Sequence, residues 1–200
     1  MDMTTTINSE PKTLYGGTLP IDSAGKEQLF RTLVAEHRTR LHRFVMRRIG
    51  HYDDANDIAQ EAFAAAAHTI ERFRGESELS TWLYGIAMNL VRNYLNRAPH
   101  RVHRFESDDQ LADMPSLAND DPPDILSRQQ MMRKLVASMQ ELPKSMQDVL
   151  MLVAVDEMSY EEAAAILSVP MGTVRSRLSR ARAALRDRML PAGSSAEVLW

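Results

Sequence analysis

The sequence predicts an all-α protein built from two small helical domains joined by a flexible acidic linker. Three observations carry this. Apolar residues recur at helical spacing through residues 26–97 and 127–190, no segment alternates with period two, and a proline-bearing acidic stretch without sustained period lies between them. Two hundred residues, 44% apolar and 26% charged, suit one ordinary domain or two small ones.

Residues 1–25 hold Gly16–Gly17, scattered Thr and Pro, and no period, and read as a disordered tail. The first domain spans 26–97. Its opening run places Leu29, Leu33, Leu41, Phe44, Val45 and Ile49 near helical spacing, and Gly50 ends that helix. The next helix starts at the Asp53–Asp54 pair, which suits a helix N-terminus. It continues through alanines, the best helix formers, until Gly75 breaks it. A third helix carries Trp82, Ile86 and Leu90 at i, i+4 and i+8. At that spacing Trp82 reads as core, while Phe73 and Tyr94 are closer to the balance between core and stacking surface.

Residues 98–126 form the linker, with Pro99, Pro115, Pro122 and Pro123, and two arginines against seven acidic residues. The second domain, 127–190, is predicted as a helix from about Leu126 to Gln140, another from about Lys144 to Val155, and a helix-turn-helix at 159–188. It has ten Lys or Arg against seven Asp or Glu, and six of the ten fall after residue 174. The net charge of −3 therefore conceals a basic end, and screening over roughly 10 Å keeps each field local. Residues 191–200 are a short C-terminal tail.

Composition also excludes function classes. With no cysteine there are no disulfides, thiolate metal sites or thiol nucleophiles. No apolar run approaches the roughly 18 residues of a membrane span, and the polar N-terminus lacks a signal-peptide core. A cytoplasmic protein without membrane insertion is expected.

On a wheel at about 100° per residue, Val174, Leu178, Ala181 and Leu185 share one stripe of the last long helix. Gly172, Ser176, Ser179 and Arg180 lie opposite, flanked by Arg175 and Arg177, with Arg182 aside. Small serines let a helix sit deep in a groove, and arginine forks onto guanine edges or phosphates. Upstream, Ser159 and Glu162 form a capping box, Tyr160, Ala163, Ala164 and Leu167 face inward, and Ser168–Gly172 is the turn. This is a helix-turn-helix presenting its second helix to the major groove.

The string "SYEEAAAILSVPMGTVRSRLSRARAALR" resembles region four of bacterial extracytoplasmic-function (ECF) RNA polymerase sigma factors. The resemblance implies that Thr173, Arg175, Ser176, Arg177, Ser179 and Arg180 contact the minus-thirty-five promoter element. "DDANDIAQEAFAAAAHTIERF" is similar to region two of the same family, with Asn56 standing where an acid is usual. It implies polymerase binding by Asp54, Asp57, Ile58, Gln60, Glu61 and Phe63. Independently, Asp54, Asp57 and Glu61 at i, i+3 and i+7 make an acidic stripe suited to a basic partner helix. With His51 the stripe could also hold a divalent ion, though no second carboxylate-rich helix completes an octahedral shell. "FRGESELSTWLYGIAMNLVRNYLNR" resembles the segment that melts and reads the minus-ten element, which implies roles for Gly75, Glu76, Ser77, Ser80, Arg92, Asn93, Asn96 and Arg97.

The expectation is thus an alternative sigma factor, not an enzyme and without cofactor or metal. Its expected partners are core RNA polymerase, promoter DNA and an anti-sigma factor. A helix-turn-helix regulator acting without polymerase is the alternative.

Overall fold

The computed structural model of the protein describes residues 23–73, 75–97 and 122–189, so the expectations for residues 1–22, 98–121 and 190–200 lie outside the described residues. Every regular element among the described residues is helical. In chain order they are α1 (Ser23–Ile49), α2 (Tyr52–Thr69) with a 3-10 turn at Ile70–Arg72, and α3 (Leu79–Arg97). Then follow α4 (Pro122–Gln140), α5 (Lys144–Leu150) running into a π-helical turn (Met151–Val155), α6 (Tyr160–Leu167) and α7 (Met171–Met189).

In the first half, α1 packs against both α2 and α3, and α2 against α3. Leu41, Phe44, Val45 and Ile49 of α1 are buried with Ala55, Ala59, Ala62 and Ala66 of α2 and Leu83, Ala87 and Val91 of α3. The alanines carry little bulk, which lets the helices approach closely. Leu29 differs from expectation: it is 38% exposed, because burial on α1 starts only with Phe30 and Leu33. Gly50 ends α1 at φ 73, the left-handed conformation expected of a helix-terminating glycine.

Two boundaries also differ. α2 stops at Thr69, not at Gly75: the Thr69 hydroxyl donates to the Ala65 carbonyl at 2.6 Å, and the chain tightens into a 3-10 turn before Phe73 extends. Gly75, at φ 70, belongs to the loop beyond. α4 begins at Pro122 rather than near Leu126, since two prolines fit a first turn whose N–H groups have no intrahelical acceptor.

In the second half α4 and α5 pack on α7, and α6 crosses it as a helix-turn-helix. The capping box is formed: Ser159 Oγ accepts from the Glu162 N–H at 3.1 Å, and the Ser159 N–H donates to Glu162 Oε2 at 2.7 Å. Ser168 turns left-handed at φ 55, and the Val169 N–H donates to the Ala164 carbonyl at 3.0 Å. The turn is shorter than expected, because Met171 and Gly172 already belong to α7. Val174, Leu178, Ala181 and Leu185 are all buried, as the wheel requires.

The halves share one continuous buried cluster, in which α6 lies on α3. Gly85 of α3 is the close approach: a Cβ there would stand 4.0 Å from the Ile166 Cα. Beside this seam the π-helical turn closes with the Asp156 N–H donating to the Met151 carbonyl at 2.9 Å, and Glu157 follows at φ 57. Asp156 is thereby delivered into contact with α1, where Arg47 donates to Oδ1 and Arg48 to Oδ2, the latter at 2.6 Å. The side chains of Asp156 and Arg48 are only 3% and 4% exposed. Burial holds the Arg48 guanidinium below its ordinary pKa, and the Asp156 charge opposes that shift.

Phe44→Ala removes a ring that is 1% exposed and should cost about 3–5 kcal/mol in urea unfolding. Leu29→Ala should stay within about 0.5 kcal/mol of the parent. His37 stands edge-on to the Tyr84 ring at 6.0 Å with its Nδ1 buried and unpartnered. Burial first, then the Arg40 charge, lowers its pKa, while Glu36 opposes them. The folded state therefore binds this proton less readily than the unfolded chain. Stability should fall as pH drops below about 6.5, and His37→Leu should flatten that slope in urea midpoints measured from pH 7.5 to 5.5.

Candidate nucleic-acid interface

The apolar stripe of α7 fixes which way its other residues point. With Val174, Leu178, Ala181 and Leu185 held inward, Gly172, Arg175, Ser176, Ser179 and Arg180 are all exposed. Thr173, Arg177 and Arg182 are half-buried at the edges of that face. The Ser176 hydroxyl donates to the Thr173 carbonyl at 3.1 Å, so it is folded back on its own helix and leaves room above the backbone. The result is a narrow surface of small residues edged by guanidiniums, able to approach a phosphate-lined groove and donate to base edges.

A second surface runs along α3 and the loop before it. Asn93, Asn96 and Arg97 are exposed near the end of α3, and Gly75 and Glu76 are exposed in the loop. Ser77 and Ser80 are half-buried. Arg92 behaves differently: it is half-buried and turned to the other half, with Nη2 at 3.4 Å from Asp148 Oδ2. Trp82 is half-buried against the core, its ring 5.3 Å from that of Phe73. Tyr94 is also committed within the fold, its hydroxyl donating to Asp54 Oδ2 at 2.6 Å.

The third surface is the acidic side of α2. Asp57, Gln60 and Glu61 are exposed. Asp54 is half-buried, held by Tyr94 and with its Oδ2 3.2 Å from His51 Nδ1. Ile58 is 6% exposed and belongs to the core, and Phe63 is half-buried against it, so neither is brought to the polar face. Asp53, exposed and one turn before Asp57, joins that face instead. The sequence pattern assigns Asp53 only to the helix start, although its i, i+4 spacing to Asp57 already places the two together. Among the described residues no three His, Asp or Glu side chains gather as a metal-ligand set.

Asp148 and Asp156, with Arg47 and Arg48, had no sequence signal. Their partners in the other half lie 56 to 109 residues away, beyond the reach of any periodicity argument.

Comparisons with known proteins identify the two helical halves as modules of one family. Residues 33–101 match the family described as Sigma-70 region 2, and residues 132–185 match Sigma-70, region 4. The chain is 32% identical over 177 residues to the ECF RNA polymerase sigma-E factor of Escherichia coli strain K12, an alignment that covers 84% of this chain and 90% of that one. It is equally identical to the RNA polymerase sigma-H factor of Pseudomonas aeruginosa, over 84% and 89% of the two chains. Among solved structures it resembles CnrH, in complex with the cytosolic domain of CnrY, at 25% identity and TM-score 0.57, covering 81% and 88% of the chains. The fold is also that of the sigma factor RpoE of Bartonella quintana, in complex with the anti-sigma factor NepR, at 22% identity and TM-score 0.55, covering 81% and 97%. Two helical modules, in this order and over this length, make the chain a member of the ECF family of RNA polymerase sigma factors.

Proposed function

We propose that this sigma factor divides promoter recognition between its two halves. α7 reads the minus-thirty-five element through Arg175, Ser176, Ser179 and Arg180, with Thr173 and Arg177 beside the backbone. The loop at Gly75, Glu76 and Ser77, with Ser80, Arg92, Asn93, Asn96 and Arg97 of α3, takes the minus-ten element. Amides, hydroxyls and cations are the groups that unstacked bases and phosphates require.

The acidic side of α2, Asp53, Asp57, Gln60 and Glu61, docks on a basic helical surface of core polymerase, with Asp54 at its edge. One observation supports the whole assignment more than any other: the two modules stand in one chain with their charged faces of opposite sign. A regulator that binds operator DNA without polymerase leaves the acidic face of α2 without a role. The chain acts as a specificity subunit without chemistry of its own, and it works in the cytoplasm beside polymerase. No helix among the described residues is long and apolar enough to cross a membrane. An anti-sigma factor is a fitting further partner, since the Bartonella quintana relative is held in such a complex.

Run-off transcription with core polymerase tests the reading: promoter-dependent product is expected, and its absence would refute it. Asp57→Arg reverses charge at an exposed position and should abolish co-purification with core polymerase while leaving the circular dichroism unchanged. Arg180→Ala should cost roughly 1–3 kcal/mol of promoter binding by holoenzyme and relax preference at one upstream position. Uniform weakening across sequences would make Arg180 a phosphate contact instead.

A further inference from the structure

We propose that the basic cleft between α1 and residues 155–158 is a binding site for a small diphosphate-bearing molecule. None of the residues that form it belongs to the promoter or polymerase surfaces above, so the site stands apart from that reading.

The cleft has a volume of about 260 Å³. Arg40, Arg43 and Arg47 line it from α1, and Tyr84 lines it from α3. Val155, Glu157 and Met158 complete it from the segment after the π-helical turn. The three arginines fall at i, i+3 and i+7, on one face of α1 over about 10 Å of its axis. Like charges one turn apart repel, and an anion seated between them removes that cost.

Hydrogen bonding in the cleft is unbalanced toward donors. Arg47 and Arg48 both donate to Asp156, so each of its carboxylate oxygens already has a cation. Arg40 and Arg43 are exposed and have no ion-pair partner among the described residues. Four arginines thus meet two carboxylates, Asp156 and the exposed Glu157, which leaves two positive charges in excess. Two further donors are unmet. Arg47 Nε is buried without a hydrogen-bond partner. Tyr84 is 5% exposed, and its hydroxyl has no partner among the described residues. Burial pushes the Tyr84 phenol above its ordinary pKa, so it stays a donor. Donors taken from water without an acceptor carry their full desolvation cost, and an anion is the ligand that meets them.

Spacing and charge select the kind of anion. A guanidinium fork fits phosphate oxygens in pairs. Arg40 and Arg43, with Cβ atoms about 5–6 Å apart, suit two adjacent phosphoryl groups better than one. The volume lies below the roughly 300–1,000 Å³ that encloses a drug-sized ligand, so the charged end is held and any remainder projects outward. Glu157 repels a phosphate chain that continues past the cleft, which favours a compact anion over a nucleic-acid backbone. The same carboxylate can accept from a sugar hydroxyl. Val155, 44% exposed, and the half-buried Met158 offer apolar surface to an uncharged part. A nucleoside diphosphate carries each of these groups, and free pyrophosphate carries the charged ones alone.

Titration calorimetry of the full chain, without polymerase or DNA and in magnesium-free buffer, tests the site with ADP, GDP, pyrophosphate and inorganic phosphate. Pyrophosphate or the nucleotides should bind at one site, at least about tenfold more tightly than inorganic phosphate, since a second phosphoryl group adds charge-assisted hydrogen bonds. Arg40→Gln with Arg43→Gln should weaken that binding at least about tenfold for the same reason. Both side chains are exposed, so circular dichroism should not change. Tyr84→Phe, which removes only the hydroxyl, should weaken it severalfold. Arg175→Gln with Arg180→Gln on α7 should leave it unchanged. Tighter binding of ADP or GDP than of pyrophosphate identifies a nucleotide as the ligand, and equal affinities identify inorganic diphosphate. Absence of saturable binding, or loss with the α7 pair and not with the α1 pair, overturns the site. A duplex oligonucleotide weakened by the α1 pair, with diphosphate affinity unmoved, overturns it as well and makes Arg40 and Arg43 backbone contacts.

Discussion

A carboxylate leaves water only where cations meet it, and Asp156 is where this fold satisfies that constraint. Its side chain is 3% exposed and lies between two arginines at the C-terminal end of α1. The site is assembled from both halves. α1 supplies Arg47 and Arg48, with Phe44 orienting Arg48 from below. The second half supplies a π-helical turn and the left-handed Glu157, which aim the carboxylate and then redirect the chain into α6. The placement of α6 on α3 follows from this junction together with the close approach at Gly85.

Around that junction, charge is sorted by surface rather than spread. The exposed side of α2 is acidic and that of α7 is basic and small, so a net charge of −3 says little about either. Each face keeps its own field once salt screens beyond roughly 10 Å. Where the two signs do meet inside the protein, at Arg48–Asp156 and Arg92–Asp148, they join the halves. Within the first half Tyr94 ties α3 to α2 through Asp54, so two surfaces assigned to different partners are coupled by one hydrogen bond.

Much of the fold was legible because it is local. The α7 stripe, the Ser159–Glu162 box and the stop at Gly50 each depend on neighbours within one or two turns, and periodicity or capping chemistry reaches that far. The end of α2 was misplaced because a glycine looked like the stronger break, while Thr69 had already tightened the helix. Pro122 and Pro123 looked like linker because prolines at a first turn and prolines in a loop read alike. Of the candidate site, the outward orientation of Arg175, Ser176, Ser179 and Arg180 on α7 was readable from the apolar stripe. Ile58 was not, because the resemblance carried it over without regard to which side of α2 faces the core. Arg92 and Asp156 were beyond sequence reasoning, as their partners are set by the packing of α6 on α3.

The long separation between Arg48 and Asp156 also orders events during synthesis. At 5–20 residues per second, the 108 residues between them take about 5–20 s to emerge. Through that interval α1, α2 and α3 can complete their alanine-lined core while both arginines still face water. The junction therefore closes only after the cations that receive Asp156 have long been exposed, and α6 and α7 follow it from the ribosome.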